Sequence, residues 1–551
     1  MKKITSIAFL LLWAMTRIVA QDVVEIVYNE SEATVTIPGD ITDVTSTVNG
    51  ANVTINSNTT DKEYIYQVKG SSTDGSLIIN GSYKLTLQLA GVSLTNAHGG
   101  AAIDVECGKR IAVELAEGTV NTLSDAAQGG QKAALYFKGH AEFKGGGTLN
   151  VTGKMKHAIS AKEYIELKSS TGTINILGAV GDGIHCGKGK PTNESNYFLM
   201  KGGIVNILNV EDDGVDSDDY GVIRIEGGAI SLNIGDDATG LKADSTVTIK
   251  GGTVNISVNG NDSKGIRANH TINILGGKTM ILTEGDGSKG IKAKRIEENS
   301  TVLNGGYLNI SGGELSIQCM GGNLTNETET TKCVGISVDA DLQQTAGNVD
   351  VTSIGAEAVP YTVNGKKTRK DGTFNIHQVP WMVKTKDYQY DMTVYVAVCS
   401  NGIRLNKYTN LAVGAFIGDA CVGYGVFGKE GYGVIRVRSN ETSSQPITFK
   451  IYNYDVETEY DDPDTSKEIL FESNGIAGEP DDPIILSYFP PLLGDANNDG
   501  TINAADIVEV VNYIMGSPSN KFDLSKADAN GDKTVNAADI VAIVNVIMGT
   551  K

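Results

Sequence analysis

The chain has 551 residues, 66 of them glycine, and a formal net charge of −20. That length exceeds one ordinary domain, and that charge argues against nucleic acid or an anionic bilayer as a partner. Abundant glycine with few aromatics outside tyrosine fits an extracellular β-rich protein, and the acidity suits one loaded with calcium.

Residues 1–20, MKKITSIAFLLLWAMTRIVA, read as a secretory signal peptide, with a basic start, an apolar run from Ile7 to Met15 and small Ala20 before Gln21. The run falls short of the roughly 20 residues a membrane span needs. No second hydrophobic run follows, so no span is expected. The six cysteines of an exported chain could form bridges. Cys319 and Cys333, flanking a polar insert, and Cys399 and Cys421, in adjacent strands, are the candidate pairs; Cys107 and Cys186 read as buried thiols.

Residues 21–75 alternate irregularly and read as an N-terminal cap, covering backbone groups that an open end would leave unpaired. From 76 to 355 one phrase returns: HAIS at 157, DGIH at 182, DGVD at 213, TGLK at 239, KGIR at 264, KGIK at 289 and VGIS at 334. Its central aliphatics, Ile159, Ile184, Val215, Leu241, Ile266, Ile291 and Ile336, are spaced by 25, 31, 26, 25, 25 and 45 residues. A fixed period of this size means stacked units, none able to bury its apolar face alone. Between the copies run Gly-Gly phrases such as IKGGTVNISV, so each period holds two or three alternating strands. Alternation such as Thr253-Val254-Asn255-Ile256 sends aliphatics inward. The fold class expected is all-β: a right-handed parallel β-helix, then a small antiparallel β-sandwich, then a small helical module with paired calcium loops.

Equivalent places in successive coils lie about 4.8 Å apart, which turns the repeat into chemical ladders. One place after the aliphatic the column reads Ser160, His185, Asp216, Lys242, Arg267, Lys292 and Ser337, with Lys264 and Lys289 just before the glycines. The phrases LTLQLAGVSLTNAHGGAAIDV, LAEGTVNTLSD and ALYFKGHAEFKGGGTLNVTGK, with the DGI and GGTVNI repeats, resemble a bacterial family of calcium-dependent carbohydrate-binding β-helix domains. That family is similar in fold to pectate lyases, and the resemblance, over roughly residues 30 to 355, implies an acidic plant polysaccharide such as polygalacturonate as ligand.

Residues 356–380 read as a turn-rich connector. Short strands separated by Gly and Asn turns over 381–488 indicate an antiparallel β-sandwich, with no clustered chemistry and so a spacer or accessory role. After a linker at 489–493, residues 494–551 carry the most specific motif. Asp495, Asn497, Asp499, Thr501, Asn503 and Asp506 stand at the liganding places of a calcium loop, and the set recurs 33 residues later as Asp528, Asn530, Asp532, Thr534, Asn536 and Asp539. Each loop runs into an apolar-periodic helix. Two such units resemble a type I dockerin, which implies calcium and a cohesin partner on a scaffold or cell surface. Lys533 replaces the usual glycine of the second loop. In that family the pairs Ala504-Ala505 and Ala537-Ala538 occupy partner-selecting places, and as small apolar pairs they leave the cohesin open.

Asp and Asn favour tight corners, which alone could explain Asp236-Asp237. It explains less well the six carboxylates between Glu211 and Asp219, which would repel unless a cation intervened. Asp182, Asp212, Asp213, Asp216, Asp236 and Asp237 are the candidate calcium ligands. Lys242, Lys264, Arg267, Lys289 and Lys292 are either a solvated face or a row of cations for a polyuronate, with Arg267 able to grip a carboxylate bidentately. The expected function is non-catalytic binding of acidic glycan with tethering through the dockerin. A calcium-dependent pectate lyase using Arg267 as base and a surface adhesin or structural repeat are the alternatives.

Overall fold

The structure, a computed structural model, describes residues 22–187, 196–298, 301–354, 357–381, 383, 387–400, 403–405, 411–426, 431–453, 458–488, 492–532 and 534–549. The segment expected as a signal peptide lies outside them. Among the described residues no helix is long and apolar enough to cross a membrane. The chain divides into two compact units near residue 376.

In the first unit each sequence period supplies three strands, the larger of the two numbers expected. One period gives Thr239–Ala243, Thr246–Ile249 and Thr253–Val258; the next gives Lys264–Ala268, Thr271–Ile274 and Lys278–Thr283. Each strand pairs in parallel with its counterpart one period on, so the chain winds through three parallel ladders. The returning phrase forms one ladder, within a 13-stranded sheet, and the other two lie in a 22-stranded sheet. Inward Val, Ile and Leu from all three make one continuous core, in which Leu241, Val247, Val254, Ile266 and Ile272 have no exposure. Burial of such residues, at about 25 cal/mol per Å², is the main stabilising term.

The glycine of the returning phrase is explained by that winding. A Cβ on Gly240 would lie 2.6 Å from the Gly265 carbonyl oxygen and 2.9 Å from Ile256 Cγ2; one on Gly265 would lie 2.6 Å from the Gly290 oxygen and 2.7 Å from Ile281 Cγ2. The missing side chain leaves room both for the next coil and for the aliphatic of the third strand. Gly265→Ala is therefore expected to destabilise by about 1–3 kcal/mol through overpacking. An unchanged thermal unfolding midpoint in that variant would contradict the packing argument.

Both ends of the coil depart from expectation. Within 21–75, Asn52–Ser57 already pairs in parallel with Ser76–Gly81, and Val23–Asn29 with Ile65–Ser72. Capping falls to two hairpins, in which Glu32–Thr36 and Val44–Asn49 pair antiparallel to those strands. The segment 356–380, expected as a connector, carries Val359–Val363, Lys367–Arg369 and Thr373–Val379, of which the first two extend the ladders in parallel. These ends lack the Gly-aliphatic phrase that marks the period, so repetition alone did not reveal them.

The second unit holds a two-sheet β module and the C-terminal helices. Tyr390–Ser400 and Gly433–Ser439 belong to one sheet, and Leu411–Ile417 and Ser443–Asn453 to the other. Val394, Val396, Val413, Phe449, Ile451 and Phe471 share their core. The module is mixed rather than purely antiparallel, because Ile484–Tyr488 and Ile476–Ala477 run parallel to Tyr390–Ser400. All six cysteines are free thiols. Cys319 and Cys333 are buried together with Ala358, whereas Cys399 and Cys421 lie in different sheets rather than on adjacent strands.

Candidate functional site

The outward column predicted from the repeat is present in register. Tyr136, Ser160, His185, Asp216, Lys242, Arg267, Lys292 and Ser337 are successive Cα partners. Its centre is a charged network that is largely buried. Asp182, Asp213 and Asp216 are at most 4% exposed. Lys242 Nζ lies 2.6 Å from Asp213 Oδ2 and 3.3 Å from Asp216 Oδ2. His185 Nδ1 lies 2.8 Å from Asp182 Oδ2, and His157 Nδ1 lies 3.0 Å from the same oxygen. The two imidazoles stack with centroids 4.4 Å apart, because their strands are neighbours in the ladder.

The protonation pattern follows from burial and pairing. Burial opposes charge on His185, yet hydrogen bonds to Asp182 and Asp216 outweigh it and raise the imidazole to about 9. Burial lowers the pKa of His157, and its bond to Asp182 does not offset that. Burial alone would raise Asp182, but the two histidines hold it well below the usual carboxylate range. Asp213 goes the other way: burial pushes it up to about 6, only partly opposed by Lys242. Burial and then the charge of Asp216 likewise bring Asp218 up to about 6.

One consequence is measurable. The His185 imidazole binds its proton more tightly folded, at about 9, than at its ordinary value of 6.5. The resulting stability is complete below about pH 6.5 and is lost as pH rises through 9, a contribution on the order of 3 kcal/mol. Without divalent cations, the urea midpoint should fall between pH 7 and 10, while His185→Gln should be flatter over the same window. Asp213 and Asp218 titrate below that window and do not confuse it.

Of the six candidate coil ligands, the structure brings four to the network. Asp182, Asp212 and Asp213 each offer an oxygen within 4.8 Å of the others, and Asp216 Oδ1 is buried without a hydrogen-bond partner. An orphaned buried carboxylate oxygen beside that cluster fits a hard divalent cation, which would supply the missing positive charge. Asp236 and Asp237 do not join it. Both are exposed, Asp236 accepts from the Asn261 amide at 2.6 Å, and Asp237 has φ +50°; they are corner residues. His157, His185 and Asp218 also belong to the network and were not among the expected ligands. The signal for them was the column itself, since His157 and His185 occupy the places held by Lys264 and Arg267 in later coils.

The cations divide by partner. Lys242 serves Asp213 and Asp216, Lys292 pairs with Asp339, and Lys264 lies 3.2 Å from Asp262. Lys289 Nζ donates to the Gly287 carbonyl at 3.0 Å, and burial together with Lys264 lowers its pKa. Arg267, between Lys242 and Lys292, makes no side-chain hydrogen bond or ion pair among the described residues.

The C-terminal loops form a second site. Asp495, Asp506 and Asp539 have no exposure. Asp495 accepts from the amides of Asp499 and Gly500 at 2.9 and 3.0 Å, and Asp506 from those of Asn497 and Asn503 at 3.0 and 2.8 Å. Asp539 does the same for Asn530 and Asn536 at 3.2 and 2.8 Å. Asn503 with Asp506, and Asn536 with Asp539, form capping boxes on helices Ala504–Ile514 and Ala537–Met548. The last place of each loop is thus also the first turn of its helix. Asp495, Asn497, Asp499, Thr501, Asn503 and Asp506 fit a calcium ion as an oxygen set, and so do Asp528, Asn530, Asp532, Thr534, Asn536 and Asp539; Lys533 lies outside the described residues. Between the loops a short helix, Leu524–Ala527, was not expected. Val508, Val511, Ile514 and Met515 are exposed on the first helix, and Val541, Val544, Ile547 and Met548 on the last, the same face 33 residues on.

Residues 49–287 match the family model described as carbohydrate-binding domain-containing protein, and residues 493–548 match that of the dockerin type I domain. The first match includes Asp182 to Arg267 and stops short of Lys289 and Lys292. A search of the curated proteins finds no match. Among solved structures the chain is similar to the polysaccharide lyase-like protein from C. thermocellum, a gadolinium derivative, at 20% identity and a TM-score of 0.26, over 64% of this chain and 96% of that one.

Proposed function

We propose that this chain, which pairs a carbohydrate-binding domain with a C-terminal type I dockerin, is a non-catalytic protein that binds acidic polysaccharide and docks onto a cohesin. The protein acts outside the cell, secreted or at the cell surface. Its three parallel ladders are read as a right-handed parallel β-helix, and its ligand as a polyuronate of the polygalacturonate type. The observation that carries this is Arg267, a guanidinium with no hydrogen-bond or ion-pair partner among the described residues, one coil from Lys242 and two coils from the Asp216 cluster.

The cations do not act alike in this reading. Lys242 and Lys292 are engaged by Asp213, Asp216 and Asp339, so they tune the field of the column. Arg267, supported by Lys264 and Lys289, is left to meet a carboxylate with two parallel hydrogen bonds. Calcium held by Asp182, Asp212, Asp213 and Asp216 would add positive charge for a neighbouring uronate. At the other end, calcium in the two loops would hold the dockerin in its folded form, and the exposed Val and Met residues of its two helices would face the cohesin.

Titration of the full chain with polygalacturonate, with calcium and then with chelator, tests this. Saturable binding that weakens on chelation and with added salt is the expected result; no binding in either condition would refute it. The second reading, a calcium-dependent pectate lyase, is favoured by the same unpaired Arg267. Under the binding reading, incubation with polygalacturonate yields no unsaturated products absorbing in the ultraviolet. Sustained turnover abolished by Arg267→Ala would replace binding with lysis.

A further inference from the structure

The column continues beyond the acid cluster in the other direction, toward the N-terminus. There a cleft of about 230 Å³ opens over Tyr136, Ser160 and His185, which are successive Cα partners. Lys132, Lys156 and Lys162 line its sides, with Asp218 at the end nearest the acid cluster. We infer that this cleft is a subsite for one uronic acid residue, with its carboxylate held by Lys132, Lys156 and Lys162 and its ring seated on Tyr136; the inference rests on the glycan-binding reading above.

The lysines are the first argument. In the same coils Lys138 pairs with Glu106, Lys144 with Glu114, Lys168 with Glu142 and Glu166, and Lys201 with Glu166. Staggered carboxylates thus neutralise many cations of the coil. Lys132, Lys156 and Lys162 make no ion pair among the described residues, although all three line one concavity. Three ammonium groups without an ion pair among the described residues, around one cleft that His185 also lines, call for an anion.

The floor is the second argument, because it selects a sugar over a bare anion. The half-buried Tyr136 ring offers an apolar face to sugar C–H groups and a phenol to a hydroxyl. Ser160, 7% exposed, makes no side-chain hydrogen bond among the described residues and can donate to or accept from a ligand hydroxyl. Asp218 is a hydroxyl acceptor, which a sugar can use and sulfate or fully ionised phosphate cannot. The volume is below the roughly 300–1,000 Å³ of pockets for larger ligands, which limits the cleft to about one residue. A chain leaving it past Asp218 runs along the column toward Arg267, so cleft and ladder would read one polymer.

The test uses the full chain, calorimetric titration with tetragalacturonate, and melting midpoints as a check on folding. Lys132→Ala, Lys156→Ala and Lys162→Ala together should weaken binding by more than threefold and by up to about a hundredfold, since each exposed pair contributes about 0.2–1 kcal/mol. Tyr136→Leu should weaken it several-fold. A control triple on exposed lysines away from the cleft, Lys278, Lys366 and Lys370 to Ala, should leave it within about threefold, and a neutral galactose oligomer should not bind. If the wild-type chain binds and the cleft triple binds equally well, the subsite is refuted and glycan binding stands. Equal loss from both triples refutes it too, as an effect of net charge. Inorganic phosphate competing as well as galacturonate would overturn the assignment to a sugar. Absence of binding by the wild-type chain would overturn the glycan reading and this subsite together.

Discussion

Removing calcium from the full chain should abolish cohesin capture and unfold residues 494–549, while the strands of the coil keep their dichroism. The reason lies in how little else holds this tail together. Its fully buried apolar core is Ala496, Val510, Ala527 and Ile543, flanked by partly buried side chains such as Ile502 and Phe522. Domains this small usually need a metal or disulfides in addition to their core. Its buried acids make the need sharper. Asp495, Asp506 and Asp539 are wholly enclosed, and Asp495 has one cation near it, Lys526 at 3.4 Å. Backbone amides orient these carboxylates toward the loop centre, but orientation does not cancel the repulsion that a divalent ion would cancel. Folding and metal binding are therefore expected to be one equilibrium. Asp495→Ala with Asp528→Ala should imitate chelation in calcium-replete buffer. A tail whose helical signal and protease resistance survive chelation would refute the coupling.

How much of this was legible in the sequence depended on what repeated. The column Ser160, His185, Asp216, Lys242, Arg267, Lys292, Ser337 was legible because one strand of each period carries the same phrase, and the ladder pairs those residues in order. The two C-terminal loops were legible because the spacing of their Asp, Asn and Thr side chains recurs 33 residues on. What repetition could not convey was partnership between coils. Nothing local to Lys242 says that its ammonium reaches back to Asp213, because that contact spans 29 residues and depends on how the earlier coil turns. The same holds for His157 and His185, 28 residues apart, whose stacking requires the 25-residue step from Ile159 to Ile184 to close as one full coil. Asp236 and Asp237 stand outside the cluster, and the corner preference of Asp already offered that reading; their exposure and the +50° φ of Asp237 were not visible in the sequence. The coil's two ends were lost with the phrase that marks the period.

Lys242 and Arg267 are Cα partners in adjacent strands, and substituting each by alanine should separate stability from binding. Lys242→Ala leaves the carboxylates of Asp213 and Asp216, 3% and 4% exposed, without their ammonium partner. Breaking a buried pair from one side costs about 3–5 kcal/mol; because the Lys242 side chain keeps 26% of its exposure, a loss of about 2–3 kcal/mol is expected. Burial already raises Asp213 to about 6, so without Lys242 that acid should protonate more readily, and the variant should regain part of its stability below about pH 6. Arg267→Ala removes a side chain that makes no hydrogen bond or ion pair among the described residues, and its effect on stability should stay within about 0.5 kcal/mol. Its effect on ligand should be the larger one. A charged hydrogen-bond donor is worth about 1.5–3 kcal/mol, which weakens polygalacturonate binding about ten- to a hundredfold. Urea unfolding at pH 5 and 8 and a titration with polygalacturonate, on the two variants side by side, measure all of this. If Lys242→Ala unfolds at the wild-type midpoint, the acid cluster is neutralised by something other than this lysine. If Arg267→Ala binds as the wild-type chain does, the column holds no uronate at that coil.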